Sequence, residues 1–262
     1  YLGISYIRSV SIRKTITAII PSFNEEDHIL QAIASVSWCD QVMVVDSFST
    51  DRTAELVKST SAQLIQHEYE GPAHQKNWSI QHAEHDWIIF LDADERVTDS
   101  LRKEMEKVLI APAFEAYWIC RQNHFMGKQI RYSGWQNDKV IRLFKKGSCT
   151  YAPVAVHEEM QCRSEVGLLQ EKLLHYTYKD LNHYLEKFDR YTTWSARDRA
   201  LKTGDVGYFH LLGKPVFRFF RHFVIKLGFL DGKEGFIISV LSGYSVFLRY
   251  LKLLRIQKGE KL

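Results

Sequence analysis

The 262-residue chain has no two cysteines close enough for a CxxC pair; Cys39, Cys120, Cys149 and Cys162 are widely spaced. That spacing excludes a zinc ribbon and predicts free thiols in a reducing compartment. A phosphate-cradling glycine loop is missing too. No GxGxxG occurs, and Gly207 and Gly213-Lys214 are misspaced for a Walker loop, with Pro215 directly after the lysine. The stretch "VHEEM" fails as a zinc-protease helix, because Gln161 stands where HExxH needs its second histidine. The start, "YLGISYIRSVSIRK", has neither the long apolar stretch nor the small-residue cleavage site of a secretory signal. The expectation from these absences is a cytoplasmic protein. Internal repeats and low-complexity tracts are also lacking, and 45% apolar with 25% charged residues is the composition of a folded globular chain.

The net charge is small, at +4, but it is unevenly placed. From Gly207 onward ten Lys/Arg face three Asp/Glu, a net +7, which leaves −3 for the preceding 206 residues. A slightly acidic body with a basic, aromatic tail is not the pattern of a nucleic-acid binder, whose positive charge should line the binding face.

What the chain does have is a regular alternation of buried-strand and helix patterns in its first hundred residues. "TITAII" (15–20), "QVMVVD" (41–46), "AQLIQHE" (62–68) and "DWIIFLD" (86–92) read as strands. Between them "NEEDHILQAIASV", "STDRTAELVKS" (capped by Ser49 or Thr50) and "AHQKNWSIQHAE" read as helices. Strands separated by single helices predict a doubly wound, mostly parallel sheet of the α/β class. Such sheets bind ligands at the carboxyl ends of their strands, where "SFNEE", "DSFSTD" and "DADE" fall. After about residue 113, "AYWICRQNHF", "KQIRYSG" and "KVIRLFKKG" predict further strands, with turns at Met126-Gly127 and near Gly134, and a small antiparallel piece. A long amphipathic helix is expected over 180–204, then two basic helical segments broken around "GFLDGKEG". The predicted organisation is one domain over 1–206, with halves near 15–112 and 113–206, followed by a helical tail over 207–262.

The densest chemistry lies in "DWIIFLDADERV", where an apolar run ends in Asp92, Asp94 and Glu95. Carboxylates so crowded repel unless a positive partner arrives. In an extended chain Asp92 and Asp94 point to one side. One or two carboxylates with diphosphate oxygens and water satisfy Mg²⁺ or Mn²⁺. Read structurally, the same residues are a solvated strand end. Three further strand-end features join them: Asp46, the exposed aromatic of Pro21-Ser22-Phe23-Asn24-Glu25, and Lys76-Asn77 in the helix leading into the DxD strand.

In order and spacing, "IIPSFNEE", "VVDSFSTDRT", "QKNW" and "DWIIFLDADE" resemble the donor-binding half of glycosyltransferase family 2. "RYSGWQNDKVIRLFKKG", "VHEEM" and "GFLDGKEGF" extend the resemblance to the branch of bacterial lipopolysaccharide inner-core β-1,4-glucosyltransferases, which add glucose to a heptose. The resemblance implies a GT-A fold, an inverting transfer from a nucleotide-diphosphate sugar, and a Mg²⁺ or Mn²⁺ cofactor. It places Pro21, Phe23 and Glu25 around the nucleoside, Asp46 near the uracil, Asp92 near the ribose, Lys76 close to the nucleotide and Asp94 on the metal. Ser47 departs from the pattern, since many members carry a second Asp there, and it is often this one that meets the base.

Inversion needs a general base to take the acceptor hydroxyl's proton. The resemblance assigns Glu158, with Glu159 second; on an alternating strand only one of them faces the site. His157 is either a metal ligand or packed on the sheet. The aromatic and basic run Trp118, Arg121, Arg131, Tyr132, Trp135, Arg142 suits an anionic sugar acceptor such as phosphorylated heptose, with Arg131, Trp135 and Arg142 the candidates. The expected partners are a UDP-sugar, a lipid-linked glycan and an anionic membrane surface, with no nucleic acid. The expected place is the cytoplasmic face of the inner membrane. The longest uncharged run of the tail, "GFIISVLSGYSVFL" (235–248), has 14 residues, short of a span, so the tail is expected to lie in the interface. The alternative reading is that these helices pack their apolar faces on the catalytic domain and merely expose basic residues. Competing readings are a relative making capsular or exopolysaccharide, one loading polyprenyl phosphate, and a sugar-nucleotide or glycan binder without turnover.

Overall fold

The computed structural model describes residues 13–152, 160–176, 181–200 and 202–260. The four leading apolar runs form β1 (Ile16–Ser22), β2 (Gln41–Asp46), β3 (Gln63–Gln66) and β4 (Trp87–Phe90). They lie in the order β3-β2-β1-β4, all parallel. Because strand side chains alternate between faces, each run feeds two cores. Ile16, Ala18 and Ile20 of β1 enter one and Ile19 the other; in β4, Trp87 and Ile89 oppose Ile88 and Phe90. The first core is closed by Ile29 and Ile33 of α1 (Ile29–Ser35), Val57 of α2 (Thr53–Lys58) and Leu101 and Met105 of α4 (Asp99–Ile110). The second is closed by Ala73 and Ile80 of α3 (Pro72–Gln81).

Two helix starts differ from expectation. α1 begins five residues after Asn24 because Asn24 takes a positive φ of 56° and the N–H groups of Glu25 and Glu26 are already held by Thr53 and Asp51 side chains. Its acidic residues therefore precede the helix rather than lying in its first turn. Neither Ser49 nor Thr50 caps α2; Ser49 is drawn to Asp46, and Asp51 accepts from Thr53 N–H instead. α4 is an element the strand-and-helix reading passed over. Its signals are a Thr98 cap accepting from Leu101 N at 3.1 Å and an apolar Leu101-Met105-Leu109 stripe.

The later strands complete the sheet in the order β4-β8-β6-β11-β5, using β8 (Lys139–Lys145), β6 (Ala116–Phe125), β11 (Gly167–Tyr176) and β5 (Glu95–Arg96), with β7 (Lys128–Gln129) on β6. β8 runs antiparallel to β4, with Ile89 opposite Leu143. β9 (Cys149–Tyr151) and β10 (Met160–Cys162) form the small antiparallel piece. Cys149 and Cys162 face each other across it and form a disulfide, so the expectation of four free thiols holds only for Cys39 and Cys120. The strand pairing brings together two cysteines 13 residues apart, a proximity that their spacing does not reveal.

Among the described residues the chain divides into two compact units, one of 13–120, 140–152 and 160–173, the other of 121–139, 174–176, 181–200 and 202–260. The expected boundary at 206/207 falls inside the second. That unit contains α5 (Leu181–Ala200), a helical stretch from Phe209 to Ile225 with α6 (Lys214–Phe220) at its centre and π-helical turns at both ends, a 3₁₀ turn Gly228–Asp231, and α7 (Gly232–Gln257). α7 packs along α5: Ala196 meets Val246, Tyr250 and Leu253, Phe188 stacks on Tyr244, and Lys252 Nζ donates to Asp189 at 2.6 Å.

Candidate active site

The polar clusters after β1 and β2 are laced together. Asn24 Oδ1 accepts from Thr50 N at 2.8 Å, Asn24 N donates to Ser49 Oγ at 2.9 Å, and Glu25 N donates to Thr53 Oγ1 at 2.8 Å. Asp46, assigned above to the uracil, is fully buried at the end of β2. It accepts from Ser22 Oγ at 3.2 Å, Gln66 Nε2 at 3.2 Å, Ser49 N at 3.0 Å and Ser49 Oγ. In this arrangement it ties the ends of three strands and supports the loop above it. Ser47, at the departure from the family pattern, accepts from the buried Gln75 at 3.1 Å. Phe23, expected beside the nucleoside, is 57% exposed, and half-buried Pro21 lies two residues before it. Phe48 is an equally exposed aromatic that sequence reasoning missed; its φ of 58° turns a bulky residue outward after β2.

The acidic strand end is not the extended DxD expected from the sequence. β4 stops at Phe90, and residues 93–94 form a turn closed by Glu95 N donating to Asp92 O at 2.9 Å. Glu95, fully buried, accepts from Asp92 N at 3.0 Å and from Arg142 Nη2 at 2.8 Å. Arg142 also donates to Asp92. A positive partner for two of the three carboxylates, Asp92 and Glu95, is thus supplied from within. It arrives because antiparallel pairing of β8 with β4 sets Arg142 beside the end of the acidic strand. Burial opposes the guanidinium's charge, but Asp92 and Glu95 outweigh it and hold the Arg142 pKa well above its usual value. Arg142, expected among the acceptor candidates, is instead buried against the Asp92 and Glu95 carboxylates.

Tyr151 and Lys76 complete this floor. The Tyr151 hydroxyl is pushed up in pKa by burial, which the neighbouring Arg142 charge partly offsets. Lys76 Nζ lies 4.9 Å from the Tyr151 ring centroid and 5.9 Å from that of Phe90. Asn77 fixes the same strand, pairing with Tyr151 N and O at 2.9 Å each. Lys76, Arg142, Asp92 and Glu95 therefore converge, with Asp94 half-buried in the turn beside them. Among the described residues no three His, Cys, Asp or Glu side chains gather as a metal cluster. A GT-A metal does not require one, since one hard carboxylate oxygen suffices when diphosphate and water fill the shell, and Asp94 fits that donor set. A cavity of about 360 Å³ lined by Lys14, Asp86, Trp87 and Lys145 sits at the opposite, amino end of β4.

Arg131 and Trp135 lie in the second unit, Arg131 exposed and Trp135 edge-on to Phe125. Glu158 and Glu159 fall between β9 and β10, outside the described residues.

A parallel sheet with this strand order, polar loops at its carboxyl edge and an acidic turn after β4 is the donor half of a GT-A glycosyltransferase. The chain belongs to glycosyl transferase family 2, which it matches over residues 17–199. It is 28% identical over 253 residues to an uncharacterised glycosyltransferase of Rickettsia typhi, covering 92% of this chain and 87% of that one. To the lipopolysaccharide core biosynthesis glycosyltransferase LpsC of Rhizobium meliloti it is 28% identical over 247 residues, 91% of each chain. The solved structure of Staphylococcus aureus TarS 1–349 matches with a TM-score of 0.49 at 14% identity, covering 94% of this chain and 92% of that one.

Proposed function

We propose that this glycosyltransferase is a metal-dependent, inverting enzyme that moves glucose from UDP-glucose to a heptose of the lipopolysaccharide inner core, on the cytoplasmic face of the inner membrane. The observation that carries the donor side is the Asp92–Glu95 turn held by buried Arg142 at the carboxyl end of β4. Phe23 offers a face to the base, Asp92 a carboxylate to the ribose, and Lys76 a cation to the phosphates. Bound Mg²⁺ or Mn²⁺ would use Asp94 and neutralise the charge of the departing diphosphate. Similarity to LpsC supports the core-glycan acceptor, and exposed Arg131 with the Trp135 ring suits a phosphorylated sugar. Glu158 is assigned as the base. UDP release from UDP-glucose with a heptose-terminated core oligosaccharide is the direct test. Glu158→Gln is expected to bind UDP-glucose normally and to transfer roughly 10²-fold more slowly, the scale of a lost general base. A silent Glu159→Gln beside an active Glu158→Gln reverses the assignment, and no release from any UDP-sugar by the native enzyme refutes the reading.

The membrane part rests on the helical stretch 209–225, in which no residue is buried. Phe209, Leu212, Phe217, Phe220 and Ile225 are all more than half exposed, interleaved with Lys214, Arg218, Arg221 and Lys226. Aromatics among basic residues are the composition of an interfacial helix. The stretch 228–257 is long and apolar enough to span a bilayer by length and composition. Its packing on α5 and the burial of Asp231 favour a position on the protein. Each basic residue near an anionic surface adds about 1 kcal/mol of attraction. Co-flotation with anionic liposomes is therefore expected at low salt, weakening at high salt. Phe217→Glu with Phe220→Glu should abolish it while leaving soluble-acceptor turnover intact. Flotation unchanged by the double substitution would rule this face out. Point changes are the cleaner probe, because removing the tail also removes Asp231 and the α5–α7 contact.

A further inference from the structure

The segment "GFLDGKEG" has a structural logic that the donor chemistry does not use. A Cβ on Gly228 would meet His222 O at 2.8 Å and Ser133 Oγ at 3.1 Å; one on Gly235 would collide with the Gly228 carbonyl; Gly232 has a φ of 68°. These three glycines let the 3₁₀ turn press against the chain around Ser133, and they bury Asp231, which is 3% exposed. Its carboxylate accepts from backbone and hydroxyl donors. Oδ1 accepts from Arg131 N at 3.0 Å, and Oδ2 from Tyr132 N at 3.0 Å and Ser133 Oγ at 2.7 Å. Two successive N–H groups converging on one carboxylate form an anion nest, and charge-assisted bonds of this kind are about twice as strong as neutral ones. Lys128 Nζ, 2.7 Å from Asp231 O, adds a fourth bond. The next residues are held by the same region: Ser133 N and Gln136 Nε2 both donate to Lys226 O at 3.0 Å, and His222 Nδ1 meets Ser133 O at 2.8 Å.

We infer that Asp231 is the positioning residue of the acceptor loop: its buried carboxylate fixes the backbone of residues 131–133, and so presents the Arg131 guanidinium and the Trp135 ring to an anionic sugar acceptor. The inference rests on the reading of Arg131 and Trp135 as acceptor groups. Bonds from Asp231 account for every orienting contact on the 131–132 N–H groups, while Arg131 itself points to solvent. A backbone held in its bound form spares the acceptor the cost of ordering the loop, and that saving appears in acceptor affinity rather than in donor chemistry.

The test compares native enzyme with Asp231→Asn, Ser133→Ala and Lys128→Met. Three readouts are taken: UDP-glucose hydrolysis without acceptor, UDP binding, and transfer to a phosphorylated, heptose-terminated core oligosaccharide freed of lipid. Asp231→Asn places an amide NH₂ against donors and should raise the acceptor KM roughly 10- to 100-fold. Hydrolysis and UDP binding should stay within about 2-fold. Ser133→Ala and Lys128→Met should give smaller rises of the same kind, and they decide the matter if Asp231→Asn does not fold. Equal acceptor KM in the folded variants, or hydrolysis falling in step with transfer, overturns the inference while leaving the donor reading intact. Native enzyme that neither hydrolyses nor transfers any UDP-sugar overturns both.

Discussion

Asp94→Asn should leave a folded protein that turns over UDP-sugar about 10²- to 10³-fold more slowly than the native enzyme. The residue lies half-buried in the turn after β4, and the bonds that close that turn run through Asp92, Glu95 and Arg142. An amide at position 94 keeps the shape and volume of the side chain, so the variant should still fold. Its effect on chemistry is of another order. The leaving UDP carries away negative charge, and a protein that stabilises it through one carboxylate-held cation loses that stabilisation with the carboxylate. Loss of one preorganised electrostatic contact costs about 10²- to 10³-fold in kcat. The check is UDP release across Mg²⁺ and Mn²⁺ titrations, beside UDP binding with and without metal. Near-native release at limiting metal would remove Asp94 from the metal's shell. Binding that loses its metal dependence while the melting curve stays unchanged is the expected pattern.

The donor half was legible because two physical signals agree there. Within "QVMVVD" and "DWIIFLD" the stretches 42–45 and 87–91 are apolar throughout, which is what a strand buried on both faces needs, and each is followed by an aspartate at the carboxyl edge. Local competition was not legible. Asn24, Glu25 and Glu26 have helix-start chemistry, yet their N–H groups are taken by the Ser49, Thr53 and Asp51 side chains respectively. Register was hidden too. Arg142 sits in an aromatic and basic run that suits a sugar acceptor, and only the pairing of Ile89 with Leu143 shows that it turns to Asp92 and Glu95. Asp231 reads as one acidic residue in a basic tail, since the N–H groups it holds lie about a hundred residues earlier.

That buried arginine gives the second large effect. Arg142→Met should cost roughly 3–5 kcal/mol of stability, the usual penalty for leaving buried charge without its partner. Arg142 is 4% exposed and Glu95 fully buried, so water cannot take the guanidinium's place. Methionine fills much of the volume, and what is lost is the compensation of Glu95 and Asp92 rather than packing. The pH dependence separates the two. A carboxylate buried without a cation favours its neutral form, so the folded variant binds protons more readily than its unfolded chain. Stability then rises as pH falls, and the gap to the native enzyme should narrow between neutral and mildly acid pH. Arg142→Lys keeps the charge but cannot fork to both acids, and should fall between the two. Urea unfolding at several pH values measures this directly. A loss under about 1 kcal/mol, or a gap that does not narrow with acid, would mean that Arg142 fills space beneath the turn without balancing its charge. On the proposed role of Asp92 at the donor ribose, the same loosening should also raise the KM for UDP-glucose, because Arg142 holds that carboxylate in place.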